Sequence, residues 1–177
     1  MFRMALAVCL LFDAEDERTI RRLWAQLEAR GIPSPLTHTH RRHHPHLSLT
    51  VARSWDFDRV FAAVSTLPAG REFRLSFQGT VCFPRGRAAL AAAVSADLVQ
   101  RQEAAARALA DTGADVHYNY LPGHWIPHVS IATGGNANRL SVVATTVNDM
   151  MPLGAAITHA ALIDSGTGQT WPLPRLI

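Results

Sequence analysis

Residues 45–49 read Pro-His-Leu-Ser-Leu, and residues 127–131 read Pro-His-Val-Ser-Ile. The shared pattern, Pro-His-aliphatic-Ser-aliphatic, recurs 82 residues apart in a chain of 177. Two copies of a five-position pattern at about half the chain length point to a duplicated lobe. In a strand, residues i and i+2 share a face, ~7 Å apart. His46 and Ser48 therefore share one face, with Leu47 and Leu49 on the other, and His128 and Ser130 stand likewise against Val129 and Ile131. Each strand turns its aliphatic face to a core and leaves an imidazole and a hydroxyl free. Pro45 and Pro127 suit strand starts, where no ladder donor is needed.

If the two lobes face each other, two His-Ser pairs line one cleft. That set suits phosphodiester chemistry. One imidazole takes a proton from the attacking hydroxyl or water, and the other gives one to the leaving oxygen. An unperturbed histidine pKa of ~6.5 lets both act near neutral pH. The serine hydroxyls can donate to the non-bridging phosphoryl oxygens. Such a site needs no metal, cofactor or nucleoside triphosphate. One His-x-Ser alone would carry no signal, because a lone strand histidine is ordinarily a hydrogen-bonded structural residue.

The elements that must position these residues are legible in outline. Met4–Phe12 is an unbroken apolar run, as in a central strand. Apolar residues at helical spacing and an acidic first turn predict a helix over 14–30, stopped by Gly31. Residues 32–45 read as a polar loop, 46–52 as an alternating strand and 56–67 as a second helix. Phe73, Leu75 and Phe77 alternate as a strand, with Gly79 marking a bulge before 81–83. Pro84-Arg85-Gly86 signals a turn, and 88–94 then suits the returning strand of a hairpin despite its alanines. Ser95 caps a helix to about Asp111. A loop over 113–127 leads into a strand at 128–133, then a helix at 138–150 and strands at 154–164 and 170–173. We expect a single domain over 1–177. Its class is α+β (α/β-like), a bilobal duplicated fold with two small, mostly antiparallel sheets facing a central cleft and helices outside.

With those residues and elements in view, the chain resembles the two-histidine phosphoesterase superfamily, and within it the 2′-5′ RNA ligase-like proteins. That family carries a His-x-Thr/Ser-x motif in each lobe. His46-Leu47-Ser48-Leu49 and His128-Val129-Ser130-Ile131 match it, and the likeness extends over nearly the whole chain. It implies a metal-independent 2′,3′-cyclic phosphodiesterase or 2′-5′ phosphodiesterase/ligase acting on RNA ends, short oligonucleotides or small cyclic nucleotides. It leans towards His46 as proton donor and His128 as acceptor. The chain departs from the family in using Ser twice where Thr is commoner, which keeps the hydroxyl but loses the β-branch that fixes its rotamer.

Other residues are more ambiguous. Tyr120, His124 and Trp125 precede the second motif, where they either stack a base or pack their loop onto the domain. Arg53, Arg85 and Arg87 are candidate phosphate contacts. His38, His40, His43 and His44 crowd the approach to His46. They form a metal site, a rim adding positive charge to the cleft, or a solvated loop. Two alternative functions stay open: a non-catalytic nucleotide- or RNA-binding module, and a His-rich metal-binding protein.

Composition sets the outer limits. Apolar residues make up 48% and charged residues 18%, so the chain can bury a core. All 17 cationic residues are arginine, which suits phosphate forks or reflects base composition alone. A net charge of +3 argues against a broad duplex-binding surface. Cys9 and Cys82 sit in apolar runs and read as buried free thiols. The nine-residue run at 4–12 is far short of the ~20 residues of a membrane span. Acids follow it with no cleavage site, so we expect a strand, a cytoplasmic location and no membrane or obligate protein partner.

Overall fold

The computed structural model describes residues 5–177; Met4 and Arg3, at the start of the first apolar run, lie outside them. The strands are β1 (Leu6–Phe12), β2 (His46–Ala52), β3 (Phe73–Phe83), β4 (Arg87–Ala92), β5 (His128–Thr133), β6 (Leu153–Asp164) and β7 (Thr170–Pro172). The helices are α1 (Ala14–Ala29), α2 (Phe57–Ser65), α3 (Ala96–Asp111) and α4 (Leu140–Asn148), with a 3₁₀ turn at Tyr118–Tyr120 that the sequence did not suggest. Helix starts follow local chemistry. The Asp13 carboxylate accepts from the backbone amides of Glu15 and Asp16, Asp56 accepts from Arg59, and Ser95 accepts from Leu98.

Every strand pairing is antiparallel, in the order β2-β1-β6-β3-β4-β5, with β7 beside β6. The α+β class holds, but the two expected sheets are one. β6 is long enough to serve both halves, pairing with β3 through 153–157 and with β1 through 157–164. The two histidine strands, β2 and β5, form the opposite ends of this order and touch each other. The sheet is therefore curled.

The helices cover its convex face and cross between halves: α1 packs on β5 and β1, and α3 packs on β2. Leu6, Val8, Leu10, Leu47, Leu49, Leu90, Val129 and Ile131 are buried in the core beneath them. On the concave face, Ala7, Cys9, Ala161 and Ile163 form a second, small buried cluster. Ala89, opposite Ser130, is also buried and small.

Both histidine strands carry the same irregularity. In β2 the register with β1 slips between Val8 and Cys9, so Leu49 is an extra residue. In β5 the register with β4 slips between Ala88 and Ala89, so Ile131 is the extra residue. Each bulge follows its motif serine directly and breaks the strict alternation expected of 46–52. Past it the faces exchange. Thr50 joins the core side, Val51 and Thr133 turn to the concave side, and the local twist increases. A third slip, between Phe77 and Gly79, falls where the glycine suggested one.

Cys9 is fully buried as expected, but Cys82 is exposed. No residue of β3 beyond Phe77 is buried, because its pairing with β6 ends at Phe77 and that half has only β4 beside it. An apolar run here marked strand propensity, not burial. Burial also pushes the Cys9 thiol up to about 12. In native buffer Cys82 should react promptly with an aromatic disulfide reagent and Cys9 only on unfolding. A Cys82→Ser protein that still titrated a fast thiol would contradict this placement.

Candidate active site

His46 lies opposite Leu11 at the start of β2, and His128 lies opposite Ala91 at the start of β5. Each ring is fixed in the same way. The Nδ1 of His46 is 2.7 Å from the carbonyl oxygen of His44, and the Nδ1 of His128 is 2.7 Å from that of Ile126. A carbonyl can only accept, so Nδ1 carries the proton in both rings and Nε2 is the nitrogen left for chemistry. The partner is the carbonyl two residues upstream in each case, across the motif proline.

The tryptophans supply a second matched pair. The indole of Trp24, on α1, donates to the carbonyl oxygen of Ser130 at 3.0 Å. The indole of Trp125 donates to the carbonyl oxygen of Ser48, also at 3.0 Å. Each tryptophan thus reaches across to the motif of the other half. Of the two outcomes expected for Trp125, the structure shows packing onto the domain, against the core. Beside this latch, the buried Gln102 of α3 donates to the carbonyls of Leu49 and Tyr120.

A cleft of about 580 Å³ opens between β4, β5 and the 117–126 segment. His128, Ser130, Thr133, Arg87, His117, Asn119, Tyr120, His124, Phe83 and Ile126 line it. His46 lines an adjoining hollow together with Ser130, Thr133 and His38, and the last three border both spaces. The two imidazoles are close enough for charge on His128 to depress protonation of His46.

Burial holds His46 below the ordinary imidazole range, the His44 carbonyl pulls it back up, and His128 lowers it further. Burial likewise lowers His128, opposed by the Ile126 carbonyl and reinforced by Arg87. The serines differ. Ser130 is exposed to the cleft, whereas Ser48 is half-buried, with its hydroxyl 3.7 Å from the Cys9 sulfur and within hydrogen-bonding reach of Tyr120. Burial pushes the Tyr120 hydroxyl up to about 12, so it stays a donor at any working pH. Its ring lies 6.5 Å from that of His128, and the ring of Phe83, which the sequence marked only as the end of a strand, lies 5.0 Å from that of His128.

The remaining candidates divide. The His124 ring lies 4.2 Å from that of the exposed Tyr118, tilted at 43° to it; Tyr118 is another residue that the sequence did not single out. Arg53 is not among the cleft-lining residues; it pairs with Asp115 at 2.8 Å on the surface. Arg85 occupies the tight turn after β3 with φ at 66°, also away from the lining. Arg87 is the sole arginine on the cleft among the described residues.

The histidine-rich loop does rim the site through His38, but His43 adds no charge near neutrality. Burial, then the neighbouring His40, His46 and His38, hold it down at about 4. His43 Nε2 lies 2.7 Å from the Thr39 hydroxyl, and His44 contacts Glu17 at 3.1 Å. Among the described residues, no three His, Cys, Asp or Glu side chains are grouped to hold a metal ion. No helix of the described residues is long and apolar enough to cross a membrane.

The family model of the 2′-5′ RNA ligase superfamily matches residues 12–169, and the chain belongs to that superfamily. Among solved structures, the fold resembles LigT of E. coli complexed with 3′-AMP, with a TM-score of 0.63 at 14% identity over 96% of this chain and 94% of that one. A structure described as a phosphoesterase gives 0.59 at 15% identity, covering 97% and 95%. Usb1 of Kluyveromyces marxianus with uridine monophosphate gives 0.54 at 11%, covering 97% and 98%. A search of the curated proteins gives no match.

If the indoles hold the two edge strands together, replacing them with a ring that has no N–H must cost stability, with lost packing volume adding to the cost at the buried Trp24. Trp24→Phe and Trp125→Phe should each lower the unfolding free energy by ~1–3 kcal/mol, the range for a buried carbonyl left unsatisfied. Urea denaturation measures this, and two variants as stable as the parent would deny the latch.

Proposed function

We propose that the protein is a metal-independent phosphodiesterase of RNA ends or nucleotides. It cleaves 2′,3′-cyclic phosphate or 2′-5′ phosphodiester bonds with His46 and His128 as paired acid and base. The observation that carries this reading is the matched pinning of the two imidazoles. Both spend Nδ1 on the carbonyl two residues upstream and leave Nε2 for chemistry, His128 on the cleft and His46 on the hollow that adjoins it at Ser130. Superfamily membership and the nucleotides bound by the LigT and Usb1 relatives support the same class of substrate.

In hydrolysis of a cyclic phosphate, the neutral Nε2 of one histidine takes a proton from water as its oxygen bonds to phosphorus. The protonated Nε2 of the other gives its proton to the ribose oxygen as the P–O bond breaks. Family likeness assigns the donor role to His46 and the acceptor role to His128. Ligation follows the same course with a 5′-hydroxyl in place of water, and its reverse, cleavage of a 2′-5′ bond to a cyclic phosphate, exchanges the roles. The hydroxyl of Ser130, and that of Ser48 held by Tyr120, donate to the non-bridging oxygens, where charge builds up.

His46→Ala and His128→Ala should each lower kcat/KM by ~10²–10⁴-fold. The double variant should be little worse, because groups acting as a unit are not additive. Ser130→Ala should cost ~10²-fold and Ser130→Thr much less. The measurement is turnover of 2′,3′-cyclic nucleotides and 2′-5′ dinucleotides. A folded His128→Ala protein with near-parental turnover would leave a binding module as the better reading.

The pH dependence follows from the two lowered histidines. Both are neutral in the free protein at pH 7, yet one must be protonated to act as the acid. The profile of kcat/KM should therefore be a bell centred below ~6.5, the ordinary imidazole value. It falls on the alkaline side as the donor empties and on the acid side as the acceptor fills. Activity should survive EDTA. Loss on chelation with recovery on adding Zn²⁺ or Mn²⁺ would instead favour the histidine-loop metal reading.

A further inference from the structure

Arg87 stands at one end of the main cleft, opposite Thr133 across the β4–β5 ladder. It is two positions along β4 from Ala89, the partner of Ser130, and four from Ala91, the partner of His128. At a rise of ~3.3 Å per residue, those steps carry it ~7 Å past the serine and ~13 Å past the histidine. Among the described residues, its guanidinium makes one hydrogen bond, from Nε to the Pro84 carbonyl oxygen at 3.2 Å, which anchors the group to the 84–86 turn. Nη1 and Nη2 have no hydrogen-bond partner among the described residues.

The surroundings suit an anion. Thr133 faces the same space because the Ile131 bulge has exchanged the faces of β5. His117 and Asn119 border the cleft, and Arg87 is close enough to depress protonation of His117. No carboxylate is among the lining residues. Phe83, paired with Arg87 in the β3–β4 ladder, offers an aromatic face between this corner and His128.

We propose that Arg87, with Thr133 beside it, binds a second phosphate, the one on the 5′ side of the nucleoside whose 2′,3′-phosphate lies between the histidines. The inference rests on the reading of the site as a phosphodiesterase and names its substrate class. That class is the 3′ end of an RNA strand, or a nucleotide phosphorylated at both ends of its ribose. The two-residue step along β4 from the partner of Ser130 to Arg87, ~7 Å, is about the spacing of neighbouring phosphates on a single strand. A free planar fork is the group that reads a phosphate through two parallel hydrogen bonds.

The test compares adenosine 2′,3′-cyclic phosphate with its 5′-phosphorylated counterpart as substrates for the full chain. The parent should prefer the 5′-phosphorylated compound in kcat/KM by ~10–100-fold, the range for charge-assisted hydrogen bonds. Arg87→Ala should collapse that ratio to near one, and Arg87→Lys should restore part of it. Rising salt should shrink the parent's preference but not change the ratio of the alanine variant. An unchanged ratio in Arg87→Ala would overturn the proposal, since the arginine would then serve the reacting phosphate or none. A parent with no preference would overturn it equally.

Binding keeps this outcome separate from the fate of the catalytic reading. Calorimetry with adenosine 3′-monophosphate and adenosine 3′,5′-bisphosphate requires no turnover. An Arg87-dependent advantage for the bisphosphate supports the second-phosphate site even in a protein that cleaves nothing. Equal affinities for the two ligands overturn it even in an active enzyme.

Discussion

Two strand edges face each other across this molecule without pairing, and that constraint organises much of the rest. β2 and β5 end the strand order, and an exposed edge ordinarily leaves unpaired amides and carbonyls that invite another strand. Here the serine carbonyls at both edges are answered by indoles from the opposite half. Side chains in place of a ladder keep the strands together while leaving the space beside them open. Had β2 and β5 been stitched by backbone hydrogen bonds, the sheet would have closed over the place where the two histidines meet.

The duplication survives as repeated local devices rather than as similar sequence. Each half has a proline, a histidine pinned to the carbonyl two residues upstream, a serine, and then a one-residue bulge. The bulge leaves the histidine and serine on the concave side while packing the residues beyond it against the helices. The halves diverge after that point. Val51 of the first copy is apolar and packs beside the small concave cluster, whereas Thr133 of the second keeps a hydroxyl on the cleft. One arm of the pseudo-symmetric site is sealed and the other is open, which is why the large cleft lies on the His128 side.

Much of this was legible in the sequence, for identifiable reasons. The motif repeat located both histidines because strand periodicity is short-range. Ser95, Asp56 and the acids after Phe12 marked helix starts because capping is a contact between near neighbours. What escaped depended on partners far along the chain. The bulges at Leu49 and Ile131 are properties of a register with another strand, and neither residue departs from strand propensity. Joining of the halves through β6 depends on its length relative to both neighbours. Arg53 and Arg87 are indistinguishable as letters, yet one is neutralised by Asp115 and the other faces the cleft. Trp24 read only as the apolar stripe of α1, since nothing local reveals an acceptor 106 residues away.

The concave side of the sheet is lined by some of the smallest side chains in the protein. Ala7, Cys9, Ala89 and Ala161 are buried there beside the single larger Ile163, between strands whose outer faces carry leucine, valine and isoleucine. A sheet that is thin within and bulky without has a tight radius of curvature, much as an arch is set by the taper of its stones. The gap between the His46 and His128 imidazoles is the chord of that arc. Its width is therefore written partly in residues that touch neither histidine. A methylene added at Cys9 or Ala89 would flatten the curve and draw the two rings apart, with both motifs left letter for letter intact.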